Sequence, residues 1–419
     1  MNLFTVVFLL ALAAHTLVQL WLDARHVRHV ARHRPAVPPA FENQIPLSAH
    51  QKAADYTIAR TRFGMIETLI GALWLLVWTL GGGLQLVDQL WRAWGKSDLA
   101  TGVAFLVSIF LLMAVLDLPA AIYRTFVIEQ RFGFNRTKPA TYVADLAKQS
   151  LLMLVLGVPL AALVLWLMAH AGSGWWFYVW LAWMGFSLLM LWVYPIVIAP
   201  LFNKFEPLND STLAARIGDL LKRTGFQSRG IFVMDGSRRS SHGNAYFTGF
   251  GRNKRIVFFD TLLKELDGGE IEAVLAHELG HFKRRHVIKR IVLMALLSLL
   301  GLAVLGWLID KPWFYAGLGV STPSLHAALM LFLMVAPLFT FLLQPATAWM
   351  SRQHEFEADE YAVQQADGRA LVQALVKLYK ENANTLTPDP LYSAYHDSHP
   401  PAPIRIAHLA HALGMVPTR

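Results

Sequence analysis

His277, Glu278 and His281 stand in the order H-E-x-x-H inside VLAHELGHFKRRHV, residues 274–287. On an α-helix the two histidines are i and i+4, so both imidazoles leave one face about 6 Å apart and can share a cation. Glu278 is offset by one residue, which lets it approach a water at the metal without being a ligand. Two neutral imidazoles and a carboxylate suit zinc, with the fourth position left for water, whose pKa then falls to about 7. The pattern is that of a hydrolytic site, and Gly280 is expected to leave room beside the metal. The chain has no cysteine, which excludes disulfides, a cysteine nucleophile and thiolate ligands, so any metal must be held by His, Asp or Glu.

The third ligand has to come from another element. EFEADE offers Glu355, Glu357, Asp359 and Glu360. On a helix Glu355 and Asp359 share a face while Glu357 points away, so one ligand plus one acceptor for an imidazole N–H fits the first pair best. Further on, YHDSHPPAPIRIAHL puts His399 before a Pro-Pro turn and Arg405 six residues later. Either could donate to a developing oxyanion; taken alone they read as a loop histidine and a solvated arginine.

The elements that must position these groups are legible from patterning. DGGEIEAVLAHELGHFKRRH has acids at its start and bases at its end, as a helix dipole favours, and then runs without a Pro or Gly breaker into an apolar stretch. It is expected to continue into that stretch as one helix. Upstream, TLAARIGDLLKRTGF has helical apolar spacing, and GIFVMD, NAYFTGF and RIVFFD read as strands. Gly249, Gly251, Arg252 and Asn253 supply turn chemistry for a β-hairpin between the last two. SRQHEFEADEYAVQQAD is a helix continuing the last apolar stretch.

The rest of the chain is too apolar for an ordinary soluble protein: of 419 residues 55% are hydrophobic and only 16% charged. Apolar windows long enough to cross a bilayer lie near 3–22, 66–87, 100–122, 150–169, 176–200, 287–309 and 325–348. The first has no basic residues before it and no small-residue cleavage site after it, so it reads as a retained helix with its N-terminus outside. All of the 37 lysines and arginines except Arg92, Lys96 and Lys311 then fall on one side, the cytoplasmic side by the positive-inside rule. The expected class is mainly α: a polytopic membrane protein with seven transmembrane helices and a small α+β zincin-like metalloprotease domain carrying a β-hairpin or short sheet. Its segments are 1–202 with the first five spans, 203–286 with the strands and the motif helix, 287–350 with spans six and seven, and 351–419 with the third ligand. The two polar blocks are candidates for one composite domain. The formal charge of +9 sits next to membrane, where anionic headgroups are its counter-charge, and gives no evidence for nucleic acid.

The chain resembles the CAAX prenyl protease 1 family of integral-membrane zinc metalloendopeptidases. The resemblance rests on FVIEQRFGFNRTKPATYVADLAK (126–148), SRRSSHGNAYFTGFGRNKRIVFFDTLL (237–263), AVLAHELGHFKRRH (273–286), SRQHEFEADEYA (351–362) and SHPPAPIRI (398–406), in the family's order. It implies one zinc ion per chain, with His277, His281 and Glu355 as ligands, Glu278 as catalytic base and Asp359 as the carboxylate orienting a ligand histidine. It implies that His399 and Arg405 steady the substrate carbonyl or tetrahedral intermediate, and that Asn244, Ala245 and Tyr246 form the edge strand on which an extended peptide is laid. It further implies a water-filled chamber enclosed by the spans, and a peptide or protein substrate that is C-terminally prenylated or a bacterial equivalent. The short KELDGGEIEA connection, where some eukaryotic members carry a long insertion, and a C-terminus without a retrieval signal lean towards a bacterial inner-membrane member; a eukaryotic one would sit in the endoplasmic reticulum.

Competing readings are an HtpX-like quality-control protease, against which seven spans and SHPPAPIR argue, and a site-2-type intramembrane protease, against which Lys283, Arg284 and Arg285 argue. A non-catalytic membrane scaffold or translocon-clearing partner is the non-enzymatic alternative. His26, His29 and His33 are interleaved with arginines and are expected to contact headgroups rather than a metal. Asp117 in span three is given no role, and the tryptophans near span ends read as interfacial anchors.

Overall fold

The computed structural model describes residues 2–248 and 254–414. Among the described residues, seven helices are long and apolar enough to cross a membrane: Leu3–His33, Leu47–Trp78, Asp98–Glu129, Pro139–His170, Gly172–Phe202, His286–Leu308 and Leu325–Gln365. They correspond in order to the seven apolar windows. Their exposed faces carry large apolar side chains such as Leu69, Leu112, Val155, Leu188 and Leu300, which in water would be costly and in hydrocarbon are not. A shared core of Phe8, Phe105, Ile109, Leu305, Phe314 and Leu331 packs the helices together at one end.

The second span differs from its expected bounds. Its helix begins at Leu47, well before the apolar window, and stops at Trp78; Gly82 takes φ 80° and a separate amphipathic helix, Gly83–Arg92, follows. Three consecutive glycines at 81–83 allow this turn, since a left-handed residue carries no steric cost without a Cβ. The apolar run to residue 87 is therefore half membrane helix and half surface helix.

A second apolar core joins the two polar blocks. Ile217, Leu220, Ile256, Phe258, Leu275 and Leu279 of the first block pack with Leu371, Leu375 and Leu409 of the second. Its floor is a four-stranded sheet: β1 (Phe205–Pro207), β2 (Ile231–Met234), β3 (Ala245–Thr248) and β4 (Arg255–Phe259), in the order β1-β2-β4-β3. β2 and β4 run parallel, while β1 pairs antiparallel with β2 and β3 with β4. The expected β3–β4 pairing is present, with Ala245 opposite Phe258 and Thr248 opposite Arg255. The turn assigned to Gly249, Gly251, Arg252 and Asn253 lies outside the described residues.

The histidines of RHVRHVARHR behave differently from expectation. His26 is buried, stacks on Tyr392 with ring centroids 3.9 Å apart, and accepts the Asp389 N–H at 3.2 Å. Arg25 donates to the buried Asp389 carboxylate at 2.9 Å. The polar end of the first helix thus docks the C-terminal block, because a buried carboxylate must be met by donors, and headgroup contact does not describe His26.

Candidate metal centre

The motif helix, Gly268–Lys283, starts with a capping box: Asp267 accepts from the Gly269 and Glu270 N–H groups, and Glu270 accepts the Asp267 N–H. Ile271, Leu275 and Leu279, four residues apart, bury one face in the joint core. The opposite face meets the helix Gln344–Gln365, and here Gly280 is decisive. A Cβ on Gly280 would lie 2.9 Å from both Cα and the carbonyl oxygen of Ala358. The glycine makes room for the neighbouring backbone, not for the metal as the sequence suggested.

That close approach brings the candidate ligands together. His277 Nε2 and His281 Nε2 are 3.1 Å apart, and Glu355 Oε2 and Oε1 lie 3.5 and 3.2 Å from them respectively. One ligand atom from each of the three side chains lies within 4.8 Å of the others. The acids of EFEADE separate as expected: Asp359, fully buried, has Oδ1 2.7 Å from His277 Nδ1, whereas Glu357 turns away and meets His286 Nε2.

The donor set fits a metal. Glu355 Oε2 is buried and faces the two imidazoles, with His399 Nδ1 2.9 Å away on its other side. A buried carboxylate oxygen beside two imidazole nitrogens is what an N,N,O cation site requires. Burial and the Arg405 charge push the His277 imidazole down, but the Asp359 and Glu355 carboxylates outweigh both and hold it up at about 9. That proton is the one a cation would displace.

Glu278 is half-buried on the flank of the helix beside this group. His399 is exposed and lines a cavity of about 840 Å³ between the first three spans and the 379–401 segment, together with Tyr56, Arg60, Arg124 and Tyr379. Arg405 is buried and forked on Asp359, Nε to Oδ2 at 2.7 Å and Nη2 to Oδ1 at 2.6 Å. Nη2 also lies 2.9 Å from His277 Nδ1, and Nη1 is 3.5 Å from Glu355 Oε2. Carboxylates hold the guanidinium firmly protonated, though burial alone would favour deprotonation. Asn244 is exposed, with Oδ1 accepting the Ala245 N–H at 2.8 Å; Ala245 and Tyr246 lie on β3, one of the two edge strands of the sheet. Asn382 moors the start of that strand, its Oδ1 accepting the Gly243 N–H at 3.1 Å.

Two residues near the ligands carry contacts that sequence reading did not assign. His286 Nδ1 lies 3.0 Å from His281 Nδ1, and its Nε2 is 3.0 Å from Glu357 Oε2. The motif helix does not continue into span six: it ends at Lys283, Arg285 takes φ 58°, and a new helix starts at His286.

A family model described as the CAAX prenyl protease N-terminal domain, five membrane helices, matches residues 26–204, and one for peptidase family M48 matches residues 207–413. A CAAX prenyl protease 1 homolog of Arabidopsis thaliana is 33% identical over 392 residues, 91% of each chain. The chain belongs to the CAAX prenyl protease 1 family. The protease shares 32% identity with CAAX prenyl protease 1 of Saccharomyces cerevisiae, covering 87% of this chain and 86% of that one. With the Homo sapiens homolog it shares 31%, covering 92% and 91%. The crystal structure of S. mikatae Ste24p superposes with a TM-score of 0.89 at 29% identity, covering 98% of this chain and 99% of that one. It is an integral, multi-pass membrane metalloendopeptidase. The quality-control alternative is not favoured, because the five-helix N-terminal model accounts for the spans before the peptidase block.

Proposed function

We propose that the protease removes a short C-terminal peptide, the tripeptide of a prenylated C-a-a-X sequence or a bacterial equivalent, using one zinc ion held by His277, His281 and Glu355. The observation that carries this reading is the convergence of those three side chains, one ligand atom from each lying within 4.8 Å of the others. Bound there, zinc supplies Lewis acidity to the scissile carbonyl and lowers the pKa of the attacking water. Glu278, offset by one residue from the ligands, takes that water's proton and returns it to the departing amine. Asp359 accepts the His277 Nδ1–H and so fixes which nitrogen faces the metal. His399, at the boundary of cavity and site, donates to the carbonyl oxygen as charge develops. Arg405 acts through Asp359, Glu355 and His277, because its Nε and Nη2 are forked on the Asp359 carboxylate and Nη2 also lies 2.9 Å from His277 Nδ1. An extended peptide lies along β3, pairing with Ala245 and flanked by Asn244 and Tyr246.

The polar segments 203–286 and 351–419 work as one protease domain inserted around spans six and seven, supported by their common core. The basic residues of these segments support a cytoplasmic protease domain, and the short connection before the motif helix supports a bacterial inner-membrane member. The test is mass spectrometry of products from a farnesylated and an unmodified C-a-a-X peptide. Release of the C-terminal tripeptide by the wild type and not by Glu278→Gln is expected; failure to cleave either peptide would overturn the substrate assignment.

A further inference from the structure

We propose that His286, backed by Glu357, is a positioning residue for the ligand His281, forming a second support arm opposite the one that Asp359 gives His277. The proposal rests on the reading of His281 as a ligand. His281 turns Nε2 towards His277 and Glu355, which leaves Nδ1 to carry its proton. That N–H then donates to His286 Nδ1 at 3.0 Å, which must be the unprotonated nitrogen of its ring. His286 Nε2–H in turn donates to Glu357 Oε2 at 3.0 Å. Every donor in this row meets an acceptor with a single assignment of tautomers, so ligand, histidine and carboxylate fix one another. The His354 ring, stacked on His286 at 4.0 Å with 12° between planes, holds the imidazole in the required orientation.

The backbone is built for this contact. In an unbroken helix residues five apart point about 140° away from each other, and His286 could not reach back to His281. The left-handed Arg285, φ 58°, breaks the helix and turns His286 beneath the site. A non-glycine residue in this conformation is strained, and strain kept beside the candidate metal site points to a functional placement. Asp359 and Glu357 therefore leave opposite sides of one helix to serve the two ligand histidines, one directly and one through His286.

Zinc affinity of the detergent-purified full chain, measured by competition with a chelator, tests this together with the zinc-induced rise in Tm. His286→Leu should weaken zinc binding about 10–100-fold and shrink the Tm rise. His286→Asn, whose amide oxygen can accept from His281 Nδ1–H, should recover most of the loss, which a merely structural histidine would not show. Glu357→Gln should give a smaller loss, about threefold to tenfold. Zinc affinity within twofold of wild type in His286→Leu would overturn the proposal. Should that variant not fold, Glu357→Gln, on a partly exposed side chain, decides: unchanged affinity there is equally fatal. His281→Leu run in parallel separates the two claims, because zinc retained in it would sink the ligand reading, whereas zinc lost in it and kept in His286→Leu sinks only the support arm.

Discussion

Arg405 grips Asp359 with two donors, Nε 2.7 Å from Oδ2 and Nη2 2.6 Å from Oδ1, and both side chains are buried. Asp359 in turn faces His277 Nδ1 at 2.7 Å. Removing the cation leaves this buried carboxylate with only His277 against it, so Arg405→Met should cost about 3–5 kcal/mol of stability. Arg405→Lys should be intermediate, since it keeps the charge and loses the fork. Denaturation midpoints of the detergent-solubilised chain check the order; equal stability of all three would show that the fork contributes little.

Metal uptake should depend steeply on pH. The metal-free His277 pKa of about 9 lies above its ordinary value, so the protonated ring stabilises the metal-free fold below about 6.5, and this contribution is lost as pH rises through about 9. A cation needs the neutral ring, so affinity should climb about tenfold per pH unit up to about 9 for one released proton. Calorimetric titrations in buffers of different ionisation enthalpy count that proton; an affinity flat from pH 7 to 9 would contradict it.

Gly280→Ala should separate the motif helix from its neighbour. The added Cβ meets the Ala358 backbone at 2.9 Å, and backbone cannot swing aside as a side chain can. A stability loss of about 1–3 kcal/mol is expected from overpacking, with weakened zinc binding because Glu355 moves away from the histidines. Wild-type Tm and zinc affinity in this variant would show that the two helices can part at no cost.

His399→Ala should leave zinc content intact and lower kcat about 10²–10³-fold, the loss that follows removal of one donor to an oxyanion. A raised KM with kcat unchanged would instead assign His399 to ground-state binding.

The legible parts of the site were those set by short-range periodicity. The i, i+4 spacing put His277 and His281 on one face and separated Asp359 from Glu357, and the apolar windows gave seven spans in order. What escaped depends on backbone conformation or distant partners. Nothing in FKRRHV announces that Arg285 is left-handed, so the helix break and the His286 contact stayed hidden behind a run of charges. The apolar run through 66–87 hides the turn that the three glycines at 81–83 permit, because hydropathy does not register backbone conformation. The sequence around Gly280 shows only the metal motif, because the glycine's real neighbour, Ala358, is 78 residues on. The parallel β2–β4 pairing is likewise a long-range choice that strand patterns do not specify.

The most direct test of the metal-hydrolase reading is zinc stoichiometry and peptide cleavage measured on the same preparations of wild type, Glu278→Gln and Glu355→Gln. About one zinc per chain is expected in the first two with cleavage only in the wild type, and zinc should be depleted in Glu355→Gln. Cleavage by Glu278→Gln, or full zinc occupancy in Glu355→Gln, would contradict it.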